Sequence, residues 1–377
     1  MAHPLEGDHE NRLQIVSSDQ TESIIMTTRV LALFILSLWS MLVSADEKPI
    51  VGAIRWDAWT GGSITQQVER SLSPLKYQSR LPWFANIGKD GVVSIDGGDQ
   101  TVMDQEIDYA ADAGLDYWAF LLYPESSTMS TALGQYLGSS RRSKLRFCLI
   151  LKNTLDLPEA AWLRERKRAI ALLQEPGYQT VLGNRPLVYV FSSKGLPKRR
   201  LQEFIALARE RELNPYYVFM GWHPAADVKK AIPLGFDAVS SYAKSNSSPA
   251  FVDLANSVKT QLWENAVNHK APYIPLVTTG WDKRTRQDNP VSWEVDGDYH
   301  KQSVFPSKAT PDEIASHLDE ALQFVDQHRD ICEANAVIIY AWNEYDEGGW
   351  LAPTRDAKGF PDKSRLEAIR QVLGERR

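Results

Sequence analysis

Eight short, continuous apolar runs, separated by amphipathic stretches, limit this chain to very few architectures. The runs are Ile50–Ile54, Tyr117–Leu122, Arg146–Leu151 and Leu187–Phe191, then Tyr217–Met220, Phe236–Ser240, Tyr273–Val277 and Val337–Tyr340. They are rich in Val, Ile, Leu and aromatics and lack apolar–polar alternation, the pattern of parallel strands covered on both faces. Between them lie Met103–Ala113, Glu159–Leu173, Lys198–Arg211, Phe251–Asn268 and Pro311–Arg329, with apolar residues every three or four positions, and Ser364–Leu373 closes the chain. Gly114 reads as a helix C-cap, and Thr310 before Pro311-Asp312-Glu313 as an N-cap followed by proline and acids. The alternation predicts a single (β/α)8 TIM barrel over residues 46–377. A doubly wound open sheet is the runner-up, but no strand is followed by a glycine-rich dinucleotide turn.

Residues 1–45 read as addressing rather than fold. Val30–Val43 is an uncharged apolar run shorter than a membrane span, preceded by Arg29 and followed by Ser44-Ala45 ahead of Asp46. That is the layout of a cleavable signal peptide, with an uncleaved signal anchor as the alternative. Glu6, Asp8, Glu10, Asp19 and Glu22 give the stretch before it the wrong charge for such a leader. The expectation is that translation begins at Met26, that residues 26–45 are removed, and that the product is secreted or periplasmic. The balance of 42 basic against 48 acidic residues, net −6, excludes nucleic-acid binding by bulk charge. Two cysteines exclude a disulfide-knit scaffold; Cys148 and Cys332 lie in or before different strands and are expected to be separate buried thiols.

In a barrel the chemistry gathers at the carboxyl ends of the strands. Those positions read Arg55-Trp56-Asp57-Ala58-Trp59, Tyr123-Pro124-Glu125, Lys152-Asn153 and Ser192-Ser193-Lys194 for the first four strands. The next three give Gly221-Trp222-His223-Pro224, Ser241-Tyr242 and Thr278-Thr279-Gly280-Trp281-Asp282-Lys283-Arg284. The last gives Ala341-Trp342-Asn343-Glu344-Tyr345-Asp346-Glu347-Gly348-Gly349-Trp350. Of twelve tryptophans, six (Trp56, Trp59, Trp222, Trp281, Trp342 and Trp350) fall at this one end. Indoles beside carboxylates and amides suit a carbohydrate, whose C–H faces stack on rings while its hydroxyls need fixed donors and acceptors. The competing account is that each aromatic caps the barrel core.

Glu344 and Glu347 carry the sharpest signal. Three residues apart just after the last strand, both point into the barrel mouth if a helical turn begins there. Glycoside cleavage needs such a pair, a proton donor for the leaving oxygen and a base or nucleophile. Asp346 could take either part, and an E-x-x-E spacing is also common on solvated helices. His223 has no second histidine at ligand spacing, so a substrate hydrogen bond or a structural role is favoured over a metal. Asp282, Lys283 and Arg284 bind hydroxyls or an anion, or form a structural ion pair. Lys152 and Arg284 leave open a charged substituent such as sulfate or uronate.

The run Trp342-Asn343-Glu344-Tyr345-Asp346-Glu347-Gly348 resembles the W-N-E-x-x-E-G signature of glycoside hydrolase family 99 and the related WbsX-like proteins. The Gly280-Trp281-Asp282 turn, with Arg284 just beyond, is similar to an element of the WbsX-like branch. The resemblance implies a barrel acting on glycosidic bonds with retention, endo-acting on α-mannosides in characterised members. It implies Glu347 as general acid/base and Glu344 as the base that deprotonates the sugar's own 2-hydroxyl, with Tyr242 lining the pocket. The chain departs from the pattern at Tyr345-Asp346, where family 99 has Trp-His, and at Leu351-Ala352-Pro353, where WbsX-like chains read Leu-Glu-Pro. The expected substrate-binding set is therefore Trp56, Asp57, Tyr123, Lys152, Trp222, His223, Tyr242, Trp281, Asp282, Arg284, Trp342, Asn343 and Trp350. A carbohydrate is the expected partner, with no metal or cofactor, no nucleic acid, no membrane after leader removal, and a monomeric state. Two alternatives to a hydrolase are a WbsX-type glycosyltransferase, against which export and the lack of a D-x-D motif beside the strand ends argue, and a non-catalytic carbohydrate-binding barrel.

Overall fold

The computed structural model describes residues 48–191 and 198–375. The signal-peptide reading and the Ser192-Ser193-Lys194 strand end lie outside the described residues. Strands this apolar must be covered on both sides, and the chain achieves this by rolling them into a ring. The strands are β1 (Ile50–Arg55), β2 (Tyr117–Leu122), β3 (Arg146–Leu151), β4 (Arg185–Phe191), β5 (Tyr216–Gly221), β6 (Ala238–Ser241), β7 (Leu276–Thr278) and β8 (Ala336–Tyr340). All neighbours are parallel, in the order β7-β8-β1-β2-β3-β4-β5-β6. A parallel bridge between Val239 of β6 and Tyr273 closes the ring. The fold is the expected (β/α)8 barrel.

The seventh strand differs from its sequence reading, Tyr273–Val277, for a local reason. Pro275 has no N–H and interrupts the ladder. Tyr273 and Ile274 upstream face β6, where the Ile274 N–H donates to the Val239 carbonyl at 3.1 Å; Leu276–Thr278 downstream pair with β8. Before the sixth, the Asp237 N–H donates to the Tyr217 carbonyl at 2.9 Å while its carboxylate accepts from the Tyr217 N–H at 2.8 Å. Inside the ring Gly52 leaves the space that the Tyr117 ring fills, since a Cβ there would lie 2.2 Å from it. The Tyr117 hydroxyl meets that of Tyr189 at 2.9 Å, so the barrel is plugged with side chains and is not a pore.

Helices wrap the outside. The outer layer includes α1 (Gly62–Leu72), α2 (Gln100–Asp112), α3 (Thr131–Gly138), α4 (Glu159–Leu172), α5 (Lys198–Glu210), α6 (Pro224–Ala231), α7 (Phe251–Val258), α8 (Glu264–Asn268), α9 (Pro311–Gln327) and α10 (Ser364–Glu375). The stretch expected as one helix from Phe251 to Asn268 carries a π-helical turn at Lys259–Trp263, which separates α7 from α8. Helix α6 is too short, at 8 residues, to show a clear apolar period. At α9 the Thr310 hydroxyl accepts from the Glu313 N–H at 3.2 Å and the Glu313 carboxylate accepts from the Thr310 N–H at 2.8 Å, a full capping box. Cys148 and Cys332 are free and buried. No helix among the described residues is long and apolar enough to cross a membrane.

The loops after β7 and β8 clasp each other over the mouth. The Asp282 N–H donates to the Glu347 carbonyl at 2.6 Å. Gly280, at φ +143°, and Gly348, at φ +84°, meet there: a Cβ on Gly280 would lie 2.1 Å from the Gly348 oxygen, and one on Gly348 would lie 2.6 Å from the Asp282 nitrogen. Gly280→Ala is therefore expected to cost more than about 2 kcal/mol of stability, from left-handed strain plus the clash, and to reduce activity. Thr310→Ala, far from the clasp, is expected to cost about 1 kcal/mol and leave activity intact. Urea denaturation alongside turnover measurements checks both.

Candidate active site

At the carboxyl end of the barrel lies a cavity of about 470 Å³, within the roughly 300–1,000 Å³ usual for small-ligand sites. Trp56, Tyr123, Lys152, Phe191, Trp222, Tyr242, Trp281, Lys283, Arg286, Trp293, Glu294, Glu344 and Glu347 all reach its wall. Both glutamates arrive because Tyr345–Glu347 forms a 3-10 turn directly after Glu344.

The two acids stand in opposite surroundings. Glu347 Oε1 meets Arg286 Nη1 at 2.5 Å and Lys283 Nζ at 3.2 Å, while the Tyr340 hydroxyl donates to its Oε2 at 2.6 Å. Burial alone would raise its pKa, but Arg286 first, then Lys283 and the hydrogen bond from Tyr340, outweigh burial and hold it below the ordinary glutamate value. Glu344 has one neutral partner, the Tyr242 hydroxyl donating to Oε1 at 2.8 Å, and its Oε2 is buried without one. Burial, followed by the charge of Glu347, pushes its pKa well above the usual value. The cations beside Glu347 favour its charged form, and the burial of Glu344 beside a neutral hydroxyl favours its protonated form. The motif resemblance implies the other division, Glu347 as acid/base and Glu344 as base; the cation pair on Glu347 is what favours charge there.

Arg286 is the central cation. Its Nε meets Asp346 at 2.7 Å and its Nη1 meets Glu294 at 2.6 Å as well as Glu347. Its guanidinium lies between Trp56 and Trp293, 5.3 and 5.5 Å from their ring centres. Asp346 is thereby a buried partner of Arg286, fully enclosed, and does not reach the cavity wall. Arg286 Nη2, Trp281 Nε1 and Glu344 Oε2 have no hydrogen-bond partner although buried. Unsatisfied polar atoms grouped on one cavity wall are a costly arrangement unless a hydroxyl-bearing ligand completes them.

Of the expected binding residues, Trp56, Tyr123, Lys152, Trp222, Tyr242 and Trp281 are on the wall and the others are not. Asp57 is buried against Arg55 at 2.8 Å, and burial lifts its pKa to about 6 against the pull of that arginine. Asn343 Oδ1 accepts from the Trp56 N–H at 2.9 Å and so fixes the wall from behind. Trp342 packs 5.0 Å from Trp118 in the core, and Trp350 lies under the Arg365 guanidinium at 4.0 Å. Trp59 is buried edge-on to Trp56 and Tyr345. For these three tryptophans the core-capping account holds. Asp282 is tied to Arg80 and Arg284, with Arg284 Nε at 2.8 Å, which draws Arg284 away from the cavity. His223 is exposed at the start of α6, where its N–H donates to Asp227 at 2.7 Å.

Sequence alone does not mark Lys283 as a wall residue, and it leaves out Arg286, Trp293 and Glu294 altogether. The first two carry a signal: residues three apart share a helix face, and the short helix Arg284–Asp288 puts Lys283 and Arg286 together while turning Arg284 outward. Trp293-Glu294, an indole beside an acid in a polar loop, is a weaker signal. Among the described residues no group of three His, Cys, Asp or Glu side chains is placed to hold a metal ion.

Two solved structures of a family 99 endo-α-mannosidase from Bacteroides thetaiotaomicron, one with bis-tris-propane bound, share this fold. They superpose with TM-scores of 0.56 and 0.57 at 13% identity, over 86% of this chain and 96–97% of theirs. No curated protein matches the chain in sequence. The family model described as "Glycosyltransferase WbsX" matches residues 148–360, more than half of the chain and the span from within β3 through β8 with both glutamates. The chain belongs to the WbsX family.

Proposed function

We propose that this protein is an exported glycoside hydrolase that cleaves a polysaccharide or glycan with retention, using Glu344 and Glu347. The observation that carries the reading is the pair of acids on one indole-walled cavity, Glu347 ringed by cations and Glu344 facing a tyrosine hydroxyl. That is the division of labour glycosidic cleavage requires. The shared fold of the family 99 endo-α-mannosidase supports it, and the leader read from Val30–Val43 supports export.

In the proposed cycle Glu344 gives its proton to the leaving oxygen as the C1–O bond breaks, and the aglycone departs as an alcohol. Glu347 takes the proton of the sugar's 2-hydroxyl, whose oxygen closes on C1. Water then opens that ring at C1, giving its proton to Glu344, while Glu347 returns the other to O2. Both acids end as they began. The name of the family, a glycosyltransferase one, favours a second reading, transfer to a sugar acceptor in place of water; product analysis with and without added acceptor glycans separates the two.

Glu344→Gln is expected to lower kcat/KM for natural glycans about 10²–10⁴-fold but to spare kcat/KM for aryl glycosides, whose leaving groups need no proton, while kcat falls for both because the water step has lost its base. Glu347→Gln should impair both substrates alike; rescue of that variant by the aryl leaving group would reverse the assignment. The pH profile of kcat/KM should be bell-shaped. Its acid limb reports protonation of Glu347, below the usual glutamate range, and its basic limb loss of the Glu344 proton, well above it. Arg286→Met leaves buried acids unpaired and is expected to cost about 3–5 kcal/mol of stability. Arg286→Lys keeps the charge but not the fork, so the acid limb should move upward.

A further inference from the structure

Among the described residues three cations reach the cavity wall, and two of them are matched. Lys283 meets Glu294 at 2.6 Å and Glu347 at 3.2 Å, and Arg286 meets three carboxylates. Lys152, immediately after β3, has no carboxylate within ion-pair distance among the described residues. Its ammonium lies 4.9 Å from the centre of the Phe191 ring. That ring is in turn stacked on Tyr242 at 4.7 Å and met edge-on by Trp222 at 5.9 Å. A cation over aromatic faces gains only part of what it loses on leaving water. Burial pushes the Lys152 pKa down, and the more distant charges of Glu347, Glu344 and Glu294 only partly oppose this. Neither step of the proposed cycle uses it. Trp222 beside it is 42% exposed, a large indole face left open.

We propose that the substrate carries an oxyanion, a uronate carboxylate or a sulfate ester, on the sugar that lies against Phe191 and Trp222, and that Lys152 binds it. The inference rests on the hydrolase reading for the position of the sugar and adds the substrate class. An anion here would pair the one wall cation that lacks a carboxylate among the described residues, with the stacked face held by the neighbouring indole. It would also be kept from the reacting pair's carboxylate, which is already enclosed by Lys283, Arg286 and Tyr340.

The test uses the full-chain protein and three forms of one α-mannan: neutral, oxidised at C6 to the uronate, and sulfated. Binding is measured by affinity electrophoresis, and cleavage by reducing-end release. Wild type is expected to hold at least one charged form about tenfold or more tighter than the neutral parent, as fits one charge-assisted contact. Lys152→Met should remove that preference and Lys152→Arg should keep it; which charged form binds separates carboxylate from sulfate. Equal binding of all three forms, no binding of either charged form, or a preference unchanged in Lys152→Met overturns the proposal. Selective binding without cleavage would support the anion site while failing the hydrolase reading. Cleavage of neutral chains, with charged chains bound no better, would do the opposite.

Discussion

One guanidinium organises the mouth of this barrel. Arg286 bonds Asp346, Glu347 and Glu294 at 2.5–2.7 Å and is itself almost wholly buried. A buried arginine is tolerated only where its donors are matched, and three carboxylates supply that here. Because Asp346 and Glu347 belong to the loop after β8, while Arg286 belongs to the short helix after β7, the same contacts hold the two loops together. The backbone clasp at Gly280 and Gly348 makes that approach sterically possible.

The clamp also sets the chemistry. Two glutamates three residues apart have the same side chain and nearly the same depth, yet one is ringed by cations and the other faces a tyrosine hydroxyl. The difference in partners, acting where water is largely excluded, separates their protonation states. Tyr242 and Tyr340, 5.8 Å apart, each serve one acid, so the asymmetry is built from the strand ends as well as the loops.

The barrel is legible in the sequence because its strands are buried on both faces, and eight uninterrupted apolar runs fit few other folds. Pro275 blurs the seventh strand because one run there serves two partners in succession. The site is half legible. Glu344 and Glu347 stand out by spacing, but tryptophans at strand ends divide between wall and core, and nothing in Trp342 or Trp350 separates them from Trp56 or Trp281. That choice is made by which face of a short turn each residue occupies. Arg284 and Arg286 illustrate the same limit: two arginines two positions apart point to opposite sides of one helical turn, the outer one pairing with Asp282 and the inner one with Glu347.

Glu294 sits on a loop outside the barrel and shares both Lys283 and Arg286 with Glu347. Any change at this position redistributes those two cations and so alters how acidic Glu347 is, without disturbing a strand. The charge balance around Glu347 and the scaffold are thus set in separable parts of the chain, the one in this loop and the other in the ring beneath it.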